Sequence, residues 1–199
     1  MLKRLFDFFA SLAGLAVLAP VFIAVAIAIK LSSPGPVFFR QVRIGRRGKP
    51  FRIFKFRTMT GEEPTAGPIL TIGANPRVTP VGEVLRLSKI DELPQLINVV
   101  LGHMSLVGPR PEVPKYVEKW TPAQREAVLA VRPGLTGPAS VKFRNQEEIL
   151  ARYANPEQAY ETIVMQEKLA INAAYIKQAT FMSDLKLIFQ TLGLLFWRD

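Results

Sequence analysis

Residues 8–29 read FFASLAGLAVLAPVFIAVAIAI, a run without a single charge, and the placement of this run decides the fold. As one straight helix it would extend roughly 33 Å at about 1.5 Å per residue, enough to cross the hydrocarbon of a bilayer. A secretory signal has a shorter apolar core and a small-residue cleavage site ahead of a mature domain, whereas this run leads straight into basic sequence. Choosing between a span and a re-entrant hairpin rests on the flanks. Lys3 and Arg4 precede the run, and Lys30, Arg40, Arg43, Arg46, Arg47 and Lys49 follow it, so both ends are basic. Positive charge prefers the cytoplasmic side. Pro20, near the centre, removes a helix hydrogen bond and bends the axis. A helix that turns at Ala19-Pro20 and leaves by the face it entered satisfies both observations, and a re-entrant hairpin is the expectation.

Across the 199 residues, 26 Lys and Arg stand against 16 Asp and Glu, a net charge of +10. That balance points to an anionic partner: nucleic acid, phosphorylated small molecules or an acidic membrane surface. A hydrophobic share of 49% excludes a disordered chain. Cysteine is absent and His103 is the one histidine, which excludes thiolate nucleophiles, disulfides, Ser-His-Asp triads and multi-histidine metal sites. His103, in a Gly-His-Met turn, reads as structural. Chemistry must run on carboxylates, basic groups, hydroxyls and backbone.

Outward from the apolar run, GPVFFRQVRIGRRGKPFRIFKFRTM (35–59) reads as two short strands joined by a basic turn, Gly45 to Pro50. Residues 61–80, rich in Gly, Pro and Thr, read as a loop. From Val81 to Leu101 the apolar positions follow helical spacing. Pro94 is best tolerated in a first turn, so a new helix is expected around Asp91 after a short preceding one. Thr121-Pro122 opens a helix to about Ala130, and residues 156–179 are helical. The last stretch, SDLKLIFQTLGLLFWRD (183–199), has Ser183 as its cap. Its apolar face of Leu185, Ile188, Phe189, Leu192, Leu195 and Phe196 suits either a core or a membrane interface.

RLSKIDELPQLINVV (86–100) sets two adjacent carboxylates, Asp91 and Glu92, at the start of an apolar helix. On a helix consecutive side chains diverge by roughly 100°, so the two cannot share one proton as a dyad. Separate roles fit better: one attacks an electrophile while the other holds a metal ion or moves a proton. The positive end of the helix dipole would keep both ionised. The plain alternative is a pair of solvated capping acids. Against it stands a basic set: Arg86, Lys55 and Arg57 in FKFRTM, Arg110 in GPRP, and Arg132 in VRPG. Arginine suits bidentate contact with phosphate oxygens, and cations or Mg²⁺ let a carboxylate approach another anion. Lys3, Arg4, Arg46, Arg47 and Lys49 look instead like contacts to anionic lipid.

KFRTM (55–59), LSKIDELPQLINVVLGHMSLVGPRP (87–111) and VRPGLTG (131–137), in that order behind an apolar segment, resemble the bacterial sugar transferases known as monotopic phosphoglycosyl transferases. The likeness covers most of residues 1–145, and its motifs are jointly specific though each alone is weak. In length the chain is similar to small members that consist of the catalytic domain alone. The resemblance implies an α+β, mainly helical fold: a re-entrant membrane helix hairpin hinged at Ala19 and Pro20 (1–30), then a catalytic domain on the cytosolic face (31–199). That domain would hold a short β-hairpin, a catalytic helix and interfacial amphipathic helices. It also implies transfer of a phosphosugar from a UDP-sugar to a polyprenol phosphate such as undecaprenyl phosphate, releasing UMP, as the initiating step of glycoconjugate biosynthesis. By that resemblance Asp91 is the nucleophile of a covalent phosphosugar intermediate, and Asp91 and Glu92 hold Mg²⁺. Arg86, Arg110 and Arg132 would meet phosphates, with Lys55 and Arg57 as weaker candidates.

The chain departs from the pattern at 138–140. Many members read R-P-G-I/L-T-G-W-A-Q-V, but here Pro138 stands for Trp and Ser140 for Gln, which leaves the sugar open. Arg144 and Asn145 match a pair found downstream in many members and join the substrate-binding candidates. Expected partners are therefore donor, acceptor and anionic membrane lipid at the bacterial inner membrane, with no nucleic acid; a homodimer is allowed. Two rivals remain: a membrane-tethered basic binding module without catalysis, and a transferase that uses direct displacement.

Overall fold

The computed structural model describes residues 2–61 and 75–196. Most of the loop expected at 61–80 lies outside the described residues. The apolar run forms α1 (Leu2–Ser32), an unbroken helix with Pro20 inside it. One stripe of α1 meets the rest of the protein, at three- and four-residue steps. Arg4 donates to the carbonyls of Val99 at 2.7 Å and Val100 at 3.1 Å, while Asp7 accepts from Ser105 Oγ at 2.7 Å and Leu106 N at 3.2 Å. Ser11 is buried, and Phe22, Val25 and Ile29 pack with Phe56 and Leu85. The opposite face exposes Leu5, Phe9, Leu12, Val17, Ile23 and Ile27. By length and composition α1 could cross a membrane.

The chain reversal expected at Ala19-Pro20 is therefore absent. A proline deletes one hydrogen bond, and packing on both sides of it, through Asp7 and Ser11 before and Phe22 and Ile29 after, holds the helix as one element. Helix α1 lies lengthwise on the domain, in contact with it from Arg4 to Ile29. Two supposed lipid contacts change role as well. Arg4 satisfies carbonyls at the end of a helix, and Lys3 pairs with Asp184 and donates to the Val107 carbonyl at 3.2 Å.

The expected hairpin is present: β1 (Phe38–Ile44) pairs antiparallel with β2 (Pro50–Phe56), from Phe38 opposite Phe56 to Ile44 opposite Pro50. Helix α2 (Pro80–Leu87) is capped by Thr79, and α3 (Gln95–Val100) follows. Buried Asn98 of α3 accepts from Phe54 N at 2.8 Å and donates to the Arg52 carbonyl at 2.9 Å, bolting α3 to β2. Beyond it, β3 (Ser105–Val107) runs parallel to β4 (Gly134–Thr136). Helices α4 (Pro114–Val117) and α5 (Pro122–Leu129) follow β3, and α6 (Pro138–Lys142) and α7 (Gln146–Leu150) follow β4. Helix α8 (Pro156–Ala159) runs through a wider π turn into α9 (Met165–Gln178). The largest apolar core joins α4, α5 and α9 through Tyr116, Trp120, Val128, Met165 and Leu169. The last helix, α10 (Phe181–Phe196), begins two residues before its expected cap. Thr180 Oγ1 accepts from Ser183 N at 3.1 Å and Ser183 Oγ accepts from Thr180 N at 2.9 Å, so Thr180 is the cap and Ser183, three residues on in the first turn, its reciprocal partner. On α10 Leu187 is buried while Met182 and Phe189 are exposed; the side chains of Leu195 and Phe196 lie outside the described residues.

The glycines of VGPRP and RPGLTG are explained by contact between backbones. Gly108 N donates to the Thr136 carbonyl at 2.9 Å, and Gly134 N donates to the Pro109 carbonyl at 2.8 Å. A Cβ at Gly134 would stand 2.1 Å from Gly108 N. Gly134→Ala is expected to cost about 3 kcal/mol of stability in denaturant unfolding, because backbone cannot yield as a side chain does. Gly193→Ala, whose Cβ would meet nothing within 4 Å, should gain about 0.5 kcal/mol from helix propensity. Equal effects of the two would refute this reading of the contact.

Candidate active site

Between α2 and α3 the chain turns at Lys89, which adopts the left-handed conformation (φ 59°, ψ 12°), a strained choice for a side chain of this kind. A single 3₁₀ turn, Ile90–Glu92, follows and aims the acid pair inward. Asp91 is 7% exposed. Glu92 is gripped by the fork of Arg110, NH1 to Oε2 at 2.8 Å and NH2 to Oε1 at 2.5 Å, and by Lys55 Nζ at 2.9 Å. Lys55 Nζ also stands 3.9 Å from Asp91 Oδ2. Asp91 Oδ1 is buried without a hydrogen-bond partner.

Two adjacent carboxylates thus live in opposite environments. Burial pushes Asp91 above the ordinary carboxylate range, further aided by the charge of Glu92 and opposed by Lys55. Burial also pushes Glu92 up, but the Arg110 guanidinium and Lys55 more than offset it and hold Glu92 well below that range. Arg110 is correspondingly raised by Glu92. One 3₁₀ turn supplies little dipole, so the balance at Asp91 is set by desolvation, which raises it, against Lys55, which lowers it. An orphaned, desolvated carboxylate oxygen is a reactive one, waiting for a cation or an electrophile.

The pair lines a cleft of about 2360 Å³, large enough for two substrates. Among the described residues no group of three or more acidic, histidine or cysteine side chains could hold a metal. Two carboxylates nonetheless suit Mg²⁺, which commonly takes one or two from protein and the rest from substrate phosphates and water. The unpartnered Asp91 Oδ1 fits that use, whereas both Glu92 oxygens are engaged.

A family model described as bacterial sugar transferase matches residues 1–198. The chain belongs to that family. It is 38% identical over 208 residues to the exopolysaccharide production protein PSS of Rhizobium leguminosarum bv. phaseoli, covering 96% of this chain and 94% of that protein. It is 36% identical over 195 residues to the UDP-glucose:undecaprenyl-phosphate glucose-1-phosphate transferase of Escherichia coli (strain K12), of which it spans 39%. It is also 36% identical over 196 residues to the UDP-N-acetylgalactosamine-undecaprenyl-phosphate N-acetylgalactosaminephosphotransferase of Aeromonas hydrophila, spanning 43% of it. The two named activities use different sugars on one carrier lipid.

Within this sugar transferase the candidate residues separate. Lys55 and Arg110 touch the acid pair directly. Phe51, Ile53 and Lys55 share one face of β2 by strand alternation, which carries Lys55 to the acid pair just before the start of α3. Arg57 lines the cleft, yet its guanidinium donates to the Ser33 carbonyl at 2.7 Å and Ser33 Oγ at 3.0 Å, tying down the exit from α1. Arg86 also lines the cleft and pairs with Glu147 at 2.9 Å, joining α2 to α7. Arg144 and Asn145 line the cleft from the α6–α7 side. Arg132 does not: its Nε donates to the Gly102 carbonyl at 2.8 Å, satisfying the turn that ends α3 on the far side of the parallel pair. Arg132→Ala should therefore lower thermal stability yet leave KM for the nucleotide-sugar within about twofold; a tenfold rise in KM would restore it to the site.

Two contributors escaped sequence reasoning. Lys168 of α9 borders the cleft, with its ammonium over the rings of Phe143 at 5.7 Å and Tyr160 at 5.3 Å, and burial pushes it down to about 8. Glu112 anchors the Arg110 loop: it accepts from the Tyr160 hydroxyl and from Arg43 at 3.4 Å, and its carbonyl accepts from Ile44 N at 2.9 Å. Neither position has a local pattern around it. The Arg110-Pro111-Glu112 spacing was the available hint for the second.

Proposed function

We propose that the protein transfers a phosphosugar from a UDP-sugar to a polyprenol phosphate, undecaprenyl phosphate being the model acceptor, and releases UMP through a covalent aspartyl-phosphosugar intermediate. The observation that carries this is the unpartnered, buried carboxylate oxygen of Asp91 inside a cation-lined cleft. An Asp91 oxygen attacks the phosphorus that bears the sugar; the bond to the UMP oxygen breaks, and UMP leaves with the electron pair. A phosphate oxygen of the acceptor then attacks the same phosphorus and frees the Asp91 carboxylate, giving a polyprenyl diphosphosugar. Lys55 and Arg110 hold Glu92 as a fixed anion and offset negative charge where it accumulates. Asp91 would hold Mg²⁺ together with donor phosphate oxygens, and the ion would neutralise charge on the phosphoryl group; Glu92, expected from the sequence to share it, would do so only by giving up a contact to Arg110 or Lys55.

The relatives' names support the donor and acceptor classes, and their different sugars leave the sugar to experiment. The long apolar α1, with one face bare of protein, suggests membrane association. We place the protein on the cytosolic face of the inner membrane, monotopic, with that face of α1 in the near leaflet beside Met182 and Phe189 of α10. The test is a panel of UDP-sugars with undecaprenyl phosphate, scored by UMP release. Release with one or a few sugars, dependent on acceptor for multiple turnovers, is the expected result. No release with any would favour the binding-module reading.

A further inference from the structure

The cleft that holds the acid pair does not end among the cations. The same cavity is lined by Leu18 of α1, Leu96 of α3, Leu106 of β3, Leu135 of β4, and Ile188 and Leu194 of α10. These residues form an apolar arm between two helices. At one end α1 and α10 meet: Phe6 packs edge-to-face on Phe181 at 5.2 Å, and Lys3 pairs with Asp184. Further along, Leu18 and Leu194 both face the cleft. The parallel β3–β4 pair lies beneath. Two hydroxyls on this lining, those of Thr136 and Thr191, are already matched. Thr136 and Thr191 share a hydrogen bond of 2.6 Å, and Thr191 Oγ1 reaches the Leu187 carbonyl at 2.7 Å. Outside the arm, Phe9 and Leu12 of α1 and Phe189 of α10 are exposed, so apolar surface continues outward from it.

A polar, cationic chamber continuous with an apolar arm matches one kind of molecule: an amphiphile with phosphate at one end and hydrocarbon at the other. Resting on the transferase reading above, we infer that this arm between α1 and α10 is the seat of the prenyl chain of the acceptor, holding the isoprene units that follow the two nearest the phosphate. The chain then leaves over the exposed faces of both helices toward the bilayer. Its occupant is the acceptor rather than a bulk phospholipid, because the arm opens onto the carboxylate that must pass the phosphosugar on. A phospholipid seated there would put its own phosphate in the acceptor's place.

Leu135→Trp and Ile188→Trp fill the arm from its floor and from its wall while leaving every charged group in place. With the full chain in detergent micelles, kcat/KM is measured for undecaprenyl phosphate and for geranyl phosphate, which is too short to reach along the arm. Each variant should lose about tenfold or more toward undecaprenyl phosphate, chiefly in KM, and stay within about twofold of the parent toward geranyl phosphate. Retained activity on the short acceptor shows that the variant is folded. Equal losses on both acceptors, or no loss on either, would overturn the inference. A defect that appears only when phospholipid is added would assign the arm to bilayer lipid and overturn it too. Failure of the parent protein to use any polyprenol phosphate would instead defeat the transferase reading, and this inference with it.

Discussion

Asp91→Asn abolishes transfer, by about a thousandfold or more in kcat, and at the same time makes the protein more stable at neutral pH. The first effect follows from chemistry: an amide of the same shape is no nucleophile. The second follows from burial. Asp91 has its folded pKa raised above the unfolded value, so ionising it costs more in the folded state. That cost is absent below the ordinary carboxylate range, where Asp91 is protonated folded and unfolded alike, and it grows as pH rises through and above that range. Asparagine never pays it. Thermal unfolding should therefore show the variant above the parent at pH 7 and the two converging below about pH 4. Activity of the parent should fall on the acid side at a higher pH than a free carboxylate would give. A variant less stable than the parent at pH 7 would show that the Asp91 charge is satisfied in a way its unpartnered oxygen does not suggest.

Arg110→Ala has the second largest effect, and it takes activity and stability down together. The guanidinium holds both oxygens of Glu92, at 2.8 and 2.5 Å. Without it Glu92, with 16% of its side chain exposed, keeps only Lys55. Arg110 itself is 42% exposed, so solvent already screens part of the pair, and the loss of stability should be about 1–2 kcal/mol rather than the larger figure for a sealed ion pair. Activity should fall about a hundredfold, the usual order for removing one charge-stabilising donor. Arg110→Lys should recover little of it, because an ammonium cannot reproduce a two-pronged contact. Full recovery by lysine would mean that only net charge matters at this position. For Glu92 the sign is opposite to that of Asp91: its folded pKa is lowered, so its stabilising contribution is present above the unfolded carboxylate pKa and is lost as pH falls through the folded value.

What could be read in the sequence was what is local. The acid pair, the Arg110 motif, the strand–turn–strand around Arg46 and the Thr121 cap each sit within a few residues of the feature that creates them, and each is present. The functional rank of the cations was less legible. Lys55, a secondary candidate, touches Glu92, while Arg132, a leading one, serves a turn beyond the parallel strand pair. Those assignments depend on which way a strand or loop faces after packing, which no residue spacing encodes. The same holds for α1. Charge at both ends and a central proline describe a hairpin and a helix lying along its own domain equally well. The difference is made by two polar residues in or beside the apolar run: Asp7, which accepts from Ser105 and Leu106 of β3, and Ser11, which is buried. Lys168, far along the chain on α9, reaches the cleft only because the core of α4, α5 and α9 folds it there.

The most direct measurement is the intact mass of the protein after brief incubation with its UDP-sugar and Mg²⁺ and no acceptor, followed by peptide mapping. The account predicts a rise equal to one phosphosugar, located on the peptide containing Asp91, one equivalent of UMP in solution, and loss of the adduct when polyprenol phosphate is added. An unmodified protein under rapid acid trapping, with UMP appearing only once acceptor is present, would contradict it and leave Asp91 without a covalent role.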